Sequence, residues 1–148
     1  MIVIFLTLLG VVVSDQALKQ KFRHVLGRDA TSLAPFGQLR MTEGRLWWLR
    51  LRNHPSRSMM WASWVAAAVA LVIASSWIPS SALFVGLLLG GSLSNAVESA
   101  RRGSVSDYVC LRFWPAFNLA DIAITAGAIG VVTNLIQMTA NSSVQALL

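Results

Sequence analysis

Four almost unbroken apolar runs divide this chain, at residues 1–14, 59–78, 81–97 and 117–138, and polar stretches of unequal length separate them. A helix needs about 20 residues to cross the hydrocarbon core of a bilayer. The second and fourth runs meet that length and the third is just long enough. The first reaches it if the helix continues through "DQALK" to Lys19. The pattern therefore predicts spans near 1–19, 59–78, 81–98 and 117–138, an all-α membrane protein of four transmembrane helices. The whole of 1–148 reads as a single integral-membrane domain. A cleaved signal peptide is a poorer reading of the first run, which has no basic segment before it and no small-x-small site before Asp15.

The long polar stretch, 20–58, holds "GRD", "APFG" and "TEG", which read as turns. Between them "QLRM" and "RLWWLRLR" mix apolar and basic residues. The second, from Leu46 to Arg52, reads as a short strand or an interfacial segment, and its tryptophans suit the membrane–water boundary. "WIPSS" is a tight turn, with Pro79 ending the second span. Residues 98–116 form a second polar loop, and the tail from Thr139 carries no charge. With four spans, both long loops lie on one side and both termini on the other. Asp15, Lys19, Glu98, Asp107 and Asp121 then gather near one membrane face.

Composition sharpens this picture. Charged residues make up 12 % of the chain and hydrophobic ones 55 %. A soluble domain carries about 25 % charged residues, so the deficit points to lipid. The net charge is +6, with nine of the twelve basic residues between Lys19 and Arg57. These residues flank the apolar runs and form no nucleic-acid motif, so anionic phospholipid headgroups are the expected contact and nucleic acid is not. One cysteine, Cys110, excludes an internal disulfide and a thiolate metal cluster. His24 and His54 stand apart without ligand spacing. Neither a metal nor another cofactor is expected.

Two carboxylates carry the chemistry. Asp121 lies four residues into the fourth run, and an ionisable residue there is costly enough to suggest function. At helical spacing Asn118, Asp121 and Thr125 share a face. Asp107 lies in the loop just before. Two carboxyls brought together divide into one that holds a proton and one that does not, which suits acid–base work on a single water. Plainer alternatives are a helix cap for Asp107 and a salt bridge from Asp121 to Lys19 or an arginine. Asp15 and Lys19, four apart, read as an i,i+4 pair with a structural role, with Lys19 free to snorkel. Gly86, Gly90 and Gly91 mark a small face for close helix packing.

Three segments taken together resemble the lipoprotein signal peptidases, the signal peptidase II family. "SDQALK" resembles the family's Asp-Gln-x-x-Lys at the end of the first helix. "GGSLSNAVESARRGSVSDY" resembles its Gly-Gly-x-x-x-Asn stretch ending in Gly-x-Val-x-Asp-Phe, and "WPAFNLADIAITAGA" its Phe-Pro-x-Phe-Asn-x-Ala-Asp block. The resemblance implies a four-helix membrane aspartic protease of the bacterial inner (cytoplasmic) membrane. Such an enzyme cleaves the signal peptide of a prolipoprotein before its diacylglyceryl-modified cysteine. It implies catalytic places for Asp107 and Asp121, and substrate-binding places for Asn95, Asn118, Asp15 and Lys19. It also implies a small extramembrane β-cradle and amphipathic element after the first helix. A monomer is one state the sequence allows, and the sequence does not fix the oligomeric state.

The sequence departs from the family pattern in places. Where the family has Asn-x-Gly-Ala-Ala-Phe, the nearest segment is "MTEGRLWW", and Asn-x-x-Asp-Arg becomes "NAVES", with Glu98 for the aspartate and Ser99 for the arginine. The segment between the two aspartates is also several residues shorter. These changes keep open a second function, a non-cleaving paralogue whose groove binds a lipid-modified peptide or a partner membrane helix. Orientation carries its own conflict. Positive charge normally marks the cytoplasmic side, which would place the basic loops and the site inside. The family resemblance places the site toward the outer face, and that is the expectation adopted.

Overall fold

The computed structural model describes residues 1–26, 31–33, 35–44 and 57–145. Four long helices are present: α1 (Ile2–Leu26), α2 (Arg57–Trp77), α3 (Ala82–Arg102) and α4 (Leu119–Gln145). All four are long and apolar enough to cross a membrane. Their outward side chains agree with this. Phe5, Leu6, Val65, Val69, Ile73, Ile129, Val132 and Ile136 are all exposed apolar residues, an arrangement suited to lipid.

α3 is the centre of the bundle. It packs on α1 along Gly86 and Gly90 and on α4 along Gly91, while Gly127 of α4 faces Phe84 and Leu88 of α3. An added Cβ at Gly90 would lie 2.9 Å from the Leu8 carbonyl oxygen, and one at Gly91 would run into the Ala120 carbonyl. Backbones this close exclude any larger residue, which is how small residues join helices in lipid. Ile4, Val85 and Leu89 form the apolar core, with Leu8, Trp64 and Val72 against it. α2 is held more lightly, with Trp64 Nε1 donating to Ser92 Oγ at 3.0 Å.

These contacts predict contrasting effects at two glycines of the spans. Nothing lies within 4 Å of a Cβ at Gly10, so Gly10→Ala should leave stability unchanged or raise it by up to about 1 kcal/mol through helix propensity. Gly91→Ala should lower it by about 1–3 kcal/mol through overpacking. Thermal unfolding in detergent would compare them, and equal effects would contradict the packing described.

A three-stranded antiparallel sheet caps one end of the bundle, in the order β1 (Thr31–Ser32), β2 (Gly37–Gly44), β3 (Val105–Leu111). The β2–β3 register pairs Leu39 with Val109 and Thr42 with Asp107, with an irregularity between. The stretch after α1 thus contains strand, as expected. The third strand comes from the other loop, and Asp107 stands on it rather than in a loop.

Several boundaries differ from the sequence expectation. α1 runs past Lys19 to Leu26, because one face of its last two turns packs on the sheet: Phe22 stacks on Tyr108 with ring centroids 4.6 Å apart, and Leu26 is buried. α3 continues to Arg102 and stops at Gly103, whose φ of 74° lets its N–H reach the Ser99 carbonyl at 2.8 Å. α4 starts at Leu119 and extends past residue 138. The segment from Leu46 to Arg52, read as strand or interfacial, lies outside the described residues.

Candidate active site

The start of α4 builds half of the site from local sequence. Asn118 precedes the helix and Asp121 sits in its first turn. The Asp121 N–H donates to Asn118 Oδ1 and the Asn118 N–H donates to Asp121 Oδ2, each at 3.0 Å. This reciprocal pair is a capping box, which occupies backbone donors left unpaired at a helix start. It also dictates the Asn118 amide. With Oδ1 committed to the helix, Nδ2 must donate elsewhere, and it meets Asp107 Oδ1 at 2.7 Å. One asparagine therefore touches both aspartates, drawing a strand and a helix together.

Asn95 of α3 completes the surroundings of Asp121. Its Nδ2 donates to Asp121 Oδ1 at 2.9 Å, while its Oδ1 accepts from Lys19 Nζ at 2.8 Å. An ammonium can only donate, so Lys19 fixes which way that amide points. Both Asp121 oxygens thus accept a hydrogen bond. Asp107 Oδ2 instead faces Gly44, where an added Cβ would come within 3.2 Å. Burial and then the nearby Asp121 charge raise the Asp107 carboxyl from 3.8 to about 6, against the Asn118 hydrogen bond and the Lys19 charge.

Behind this pair lies an ionic cluster. Lys19 is fully buried and contacts Asp15 at 2.7 Å and Glu98 at 2.9 Å. Asp15 is equally buried and accepts from Ser94 Oγ at 2.6 Å and from the Ala120 N–H at 3.0 Å. These two residues are enclosed, and each meets its partners within the protein. Lys19 does not snorkel, because two carboxylates and an amide hold it inside. Asn118 is fully buried too and Asn95 nearly so, which makes them carriers of the aspartates first.

Reading along the chain passed over several contributors. Arg23 pairs with Glu98 and donates to Ser106 Oγ at 2.7 Å. Thr42, in the segment that departs from the family's first-loop motif, donates to the Asp107 carbonyl at 3.2 Å. Tyr108 Oη accepts the Leu119 N–H at 2.9 Å, and burial pushes its hydroxyl up to about 12, so it keeps its proton. A basic residue four after Lys19 was the available signal for Arg23; Thr42 carried none. Among the described residues, no three of His, Cys, Asp and Glu converge as metal ligands would.

Two apolar recesses open beside Asp121. One, of about 520 Å³, lies between α2 and the α3–α4 pair, with Met59, Trp61, Trp64 and Ile124 as walls and Asn95 and Asp121 at its polar side. The other, of about 380 Å³, runs along α4 past Trp114, Phe117, Ile122 and Ile129.

A four-helix membrane protein whose buried ionic cluster supports two carboxyls beside apolar grooves is the class that fold and site define. The model of the signal peptidase (SPase) II family matches residues 7–137, and the chain belongs to that family. It is 41 % identical over 69 residues to a lipoprotein signal peptidase of Moorella thermoacetica, a match covering 44 % of this chain and 46 % of the relative. For a Xylella fastidiosa lipoprotein signal peptidase the identity is 39 % over 85 residues, covering 48 % and 51 %. With the Syntrophomonas wolfei protein of the same name it is 35 % over 109 residues, covering 66 % and 73 %. The first two matches thus span about half the length of those curated relatives. A bacterial membrane enzyme solved by the in meso method at 1.9 Å shares the fold, with a TM-score of 0.75 at 20 % identity over 89 % of this chain and 91 % of that one.

Proposed function

We propose that this protein is an aspartyl endopeptidase of the bacterial cytoplasmic membrane that removes the signal peptide from a diacylglyceryl-modified prolipoprotein, cutting just before the lipidated cysteine. Membership of the signal peptidase II family supports the substrate class. The observation that carries the chemistry is the sharing of Asn118 by Asp107 and Asp121 beside an apolar groove.

The hydrogen bonds divide the labour. Asp121, with both oxygens accepting N–H donors, is the ionised partner and takes a proton from water as its oxygen attacks the scissile carbonyl. Asp107, whose Oδ2 accepts no hydrogen bond among the described residues, carries the proton and gives it to the carbonyl oxygen. As the tetrahedral intermediate collapses, that proton returns to Asp107 and Asp121 passes its own to the departing amine. Each carboxyl ends as it began. The groove walled by Met59, Trp61 and Trp64 offers apolar surface to a signal helix or an acyl chain.

Because Asp107 must hold a proton, its raised pKa predicts the alkaline limb. The protonated fraction falls as pH rises through about 6, and kcat/KM should fall with it, approaching about tenfold per unit. A pH-independent kcat/KM between 5 and 8 would remove Asp107 from the acid role. The same shift costs folding stability as pH rises from 3.8 through about 6, since the folded form then binds more protons than the unfolded one.

The direct test offers purified protein a diacylated prolipoprotein, with and without globomycin, and reads cleavage by gel shift. Globomycin-sensitive cleavage is expected. Binding without cleavage would instead favour a receptor for lipid-modified peptide.

The site is proposed to face the outside of the membrane, following the family resemblance against the charge distribution. In a Cys110→Ser background, a cysteine at Ser32 should react with a membrane-impermeant thiol reagent on intact cells, and one at Ser143 should not. The opposite pattern would put the site in the cytoplasm.

A further inference from the structure

The ion pair between Arg23 and Glu98 lies outside the reacting carboxyls, yet it is built against them. Glu98 of α3 is buried, at 2 % exposure, and receives Lys19 from one side and Arg23 from the other. The same Arg23 nitrogen donates to Ser106 Oγ. Ser106 is itself buried, directly precedes Asp107 on β3, and accepts Asn118 Nδ2 at its carbonyl at 3.3 Å. Arg23 therefore joins α1, α3 and β3 at the residue adjoining Asp107.

The charges in this cluster balance. Lys19 and Arg23 are cations, and Asp15 and Glu98 are anions. Among the described residues, the titratable and charged groups around Asp107 are Asp15, Lys19 and Arg23 from α1, Glu98 from α3, and Asp121 from α4. Tyr108 lies on its own strand, and Glu43 lies on β2 opposite Ser106. In a low-dielectric interior an imbalance of one charge in such a cluster is felt by its neighbours.

We propose that Arg23 and Glu98 are positioning residues that act on Asp107 through Ser106 and through their balanced charges, setting the pH range over which Asp107 keeps its proton. Without Arg23, Glu98 becomes an under-compensated anion that disfavours ionisation of Asp107. Without Glu98, the two cations favour it. Glu98 already acts on Asp107 in the raising direction and Lys19 in the lowering one. The pair thus adjusts the proton donor without touching a substrate. The inference rests on the role proposed for Asp107, but its first test needs no cleavage.

The experiment is a ¹³C NMR titration of aspartate-labelled protein in detergent, with the Asp107 resonance assigned by its loss in Asp107→Asn. Arg23→Gln should raise the Asp107 midpoint and Glu98→Gln should lower it, each by about half a pH unit. The double variant should return near the parent value, and Arg23→Lys, which keeps the charge, should stay there. The alkaline limb of kcat/KM should move in the same directions. A purely mechanical clamp predicts shifts of one sign, or none, in the two single variants, and either result overturns the proposal, as does a double variant that fails to return. If Arg23→Gln does not fold, Glu98→Gln and the double variant still decide, since an unshifted Glu98→Gln is enough to reject it. Opposite shifts in a protein that cleaves nothing would leave this inference standing and remove the proposed peptidase activity.

Discussion

Asparagine in place of either Asp107 or Asp121 is expected to reduce prolipoprotein cleavage by at least about a thousandfold, since proton transfer by a positioned group and its partner is lost together. An amide at position 121 could not deprotonate water, and one at position 107 could not donate a carboxyl proton. Both variants should fold. An amide at 121 keeps an oxygen for one of its two donors, and an amide at 107 keeps one for Asn118 Nδ2. Circular dichroism in detergent would confirm the fold, and a gel-shift assay would read cleavage. Thr125→Val serves as a comparison, because among the described residues Thr125 Oγ1 bonds the Asp121 carbonyl one turn back alone, and Thr125 is exposed; its activity should remain within about twofold. Full cleavage by both asparagine variants would rule out the aspartyl mechanism.

Lys19→Met is expected to produce the largest loss of stability, about 3–5 kcal/mol, the range for removing one partner from a buried ion pair. The reason is what stays behind. Asp15 and Glu98 are enclosed, and each faces Lys19 directly. Asn95 would also lose the donor that orients its amide toward Asp121. Adding Asp15→Asn to Lys19→Met should recover part of the stability by removing one stranded charge, while cleavage stays low. Thermal unfolding in detergent measures this, and a Lys19→Met protein as stable as the parent would mean the cluster is open to water. Glu98, which spacing alone leaves outside the pair of aspartates as a minor residue, belongs to this buried cluster, and Glu98→Gln is expected to cost stability as well.

The parts of the site that were legible in the sequence are those made by near neighbours. The four spans follow from run length, and their apolar residues face outward in the folded chain as a bilayer demands. Asn118 and Asp121 stand at the spacing of a capping box, so their contact is local. Asp15 and Lys19 pair at i,i+4 as their spacing suggests. The small face of Gly86, Gly90 and Gly91 does allow close packing, though spacing could not say that Gly90 meets α1 and Gly91 meets α4.

What only the tertiary structure decided is the environment of those residues. Lys19 meets Asn95 across 76 positions, and Asp15 meets Ala120 across 105. No periodicity encodes such distances. An i,i+4 pair reads the same on paper whether it lies in water or is sealed between helices, so an apparent surface pair proved to be the buried support of the site. Asp107, a candidate from the start, was likewise placed in a loop and not on a strand, because β3 exists through its pairing with β2, across the whole of α2 and α3. Hydrophobic run length, capping and helical spacing act within a turn or two of chain, and the sequence determined them. Burial, charge balance and the sharing of Asn118 by two carboxyls depend on which helices and strands touch, and that is settled only when the backbones close at glycine.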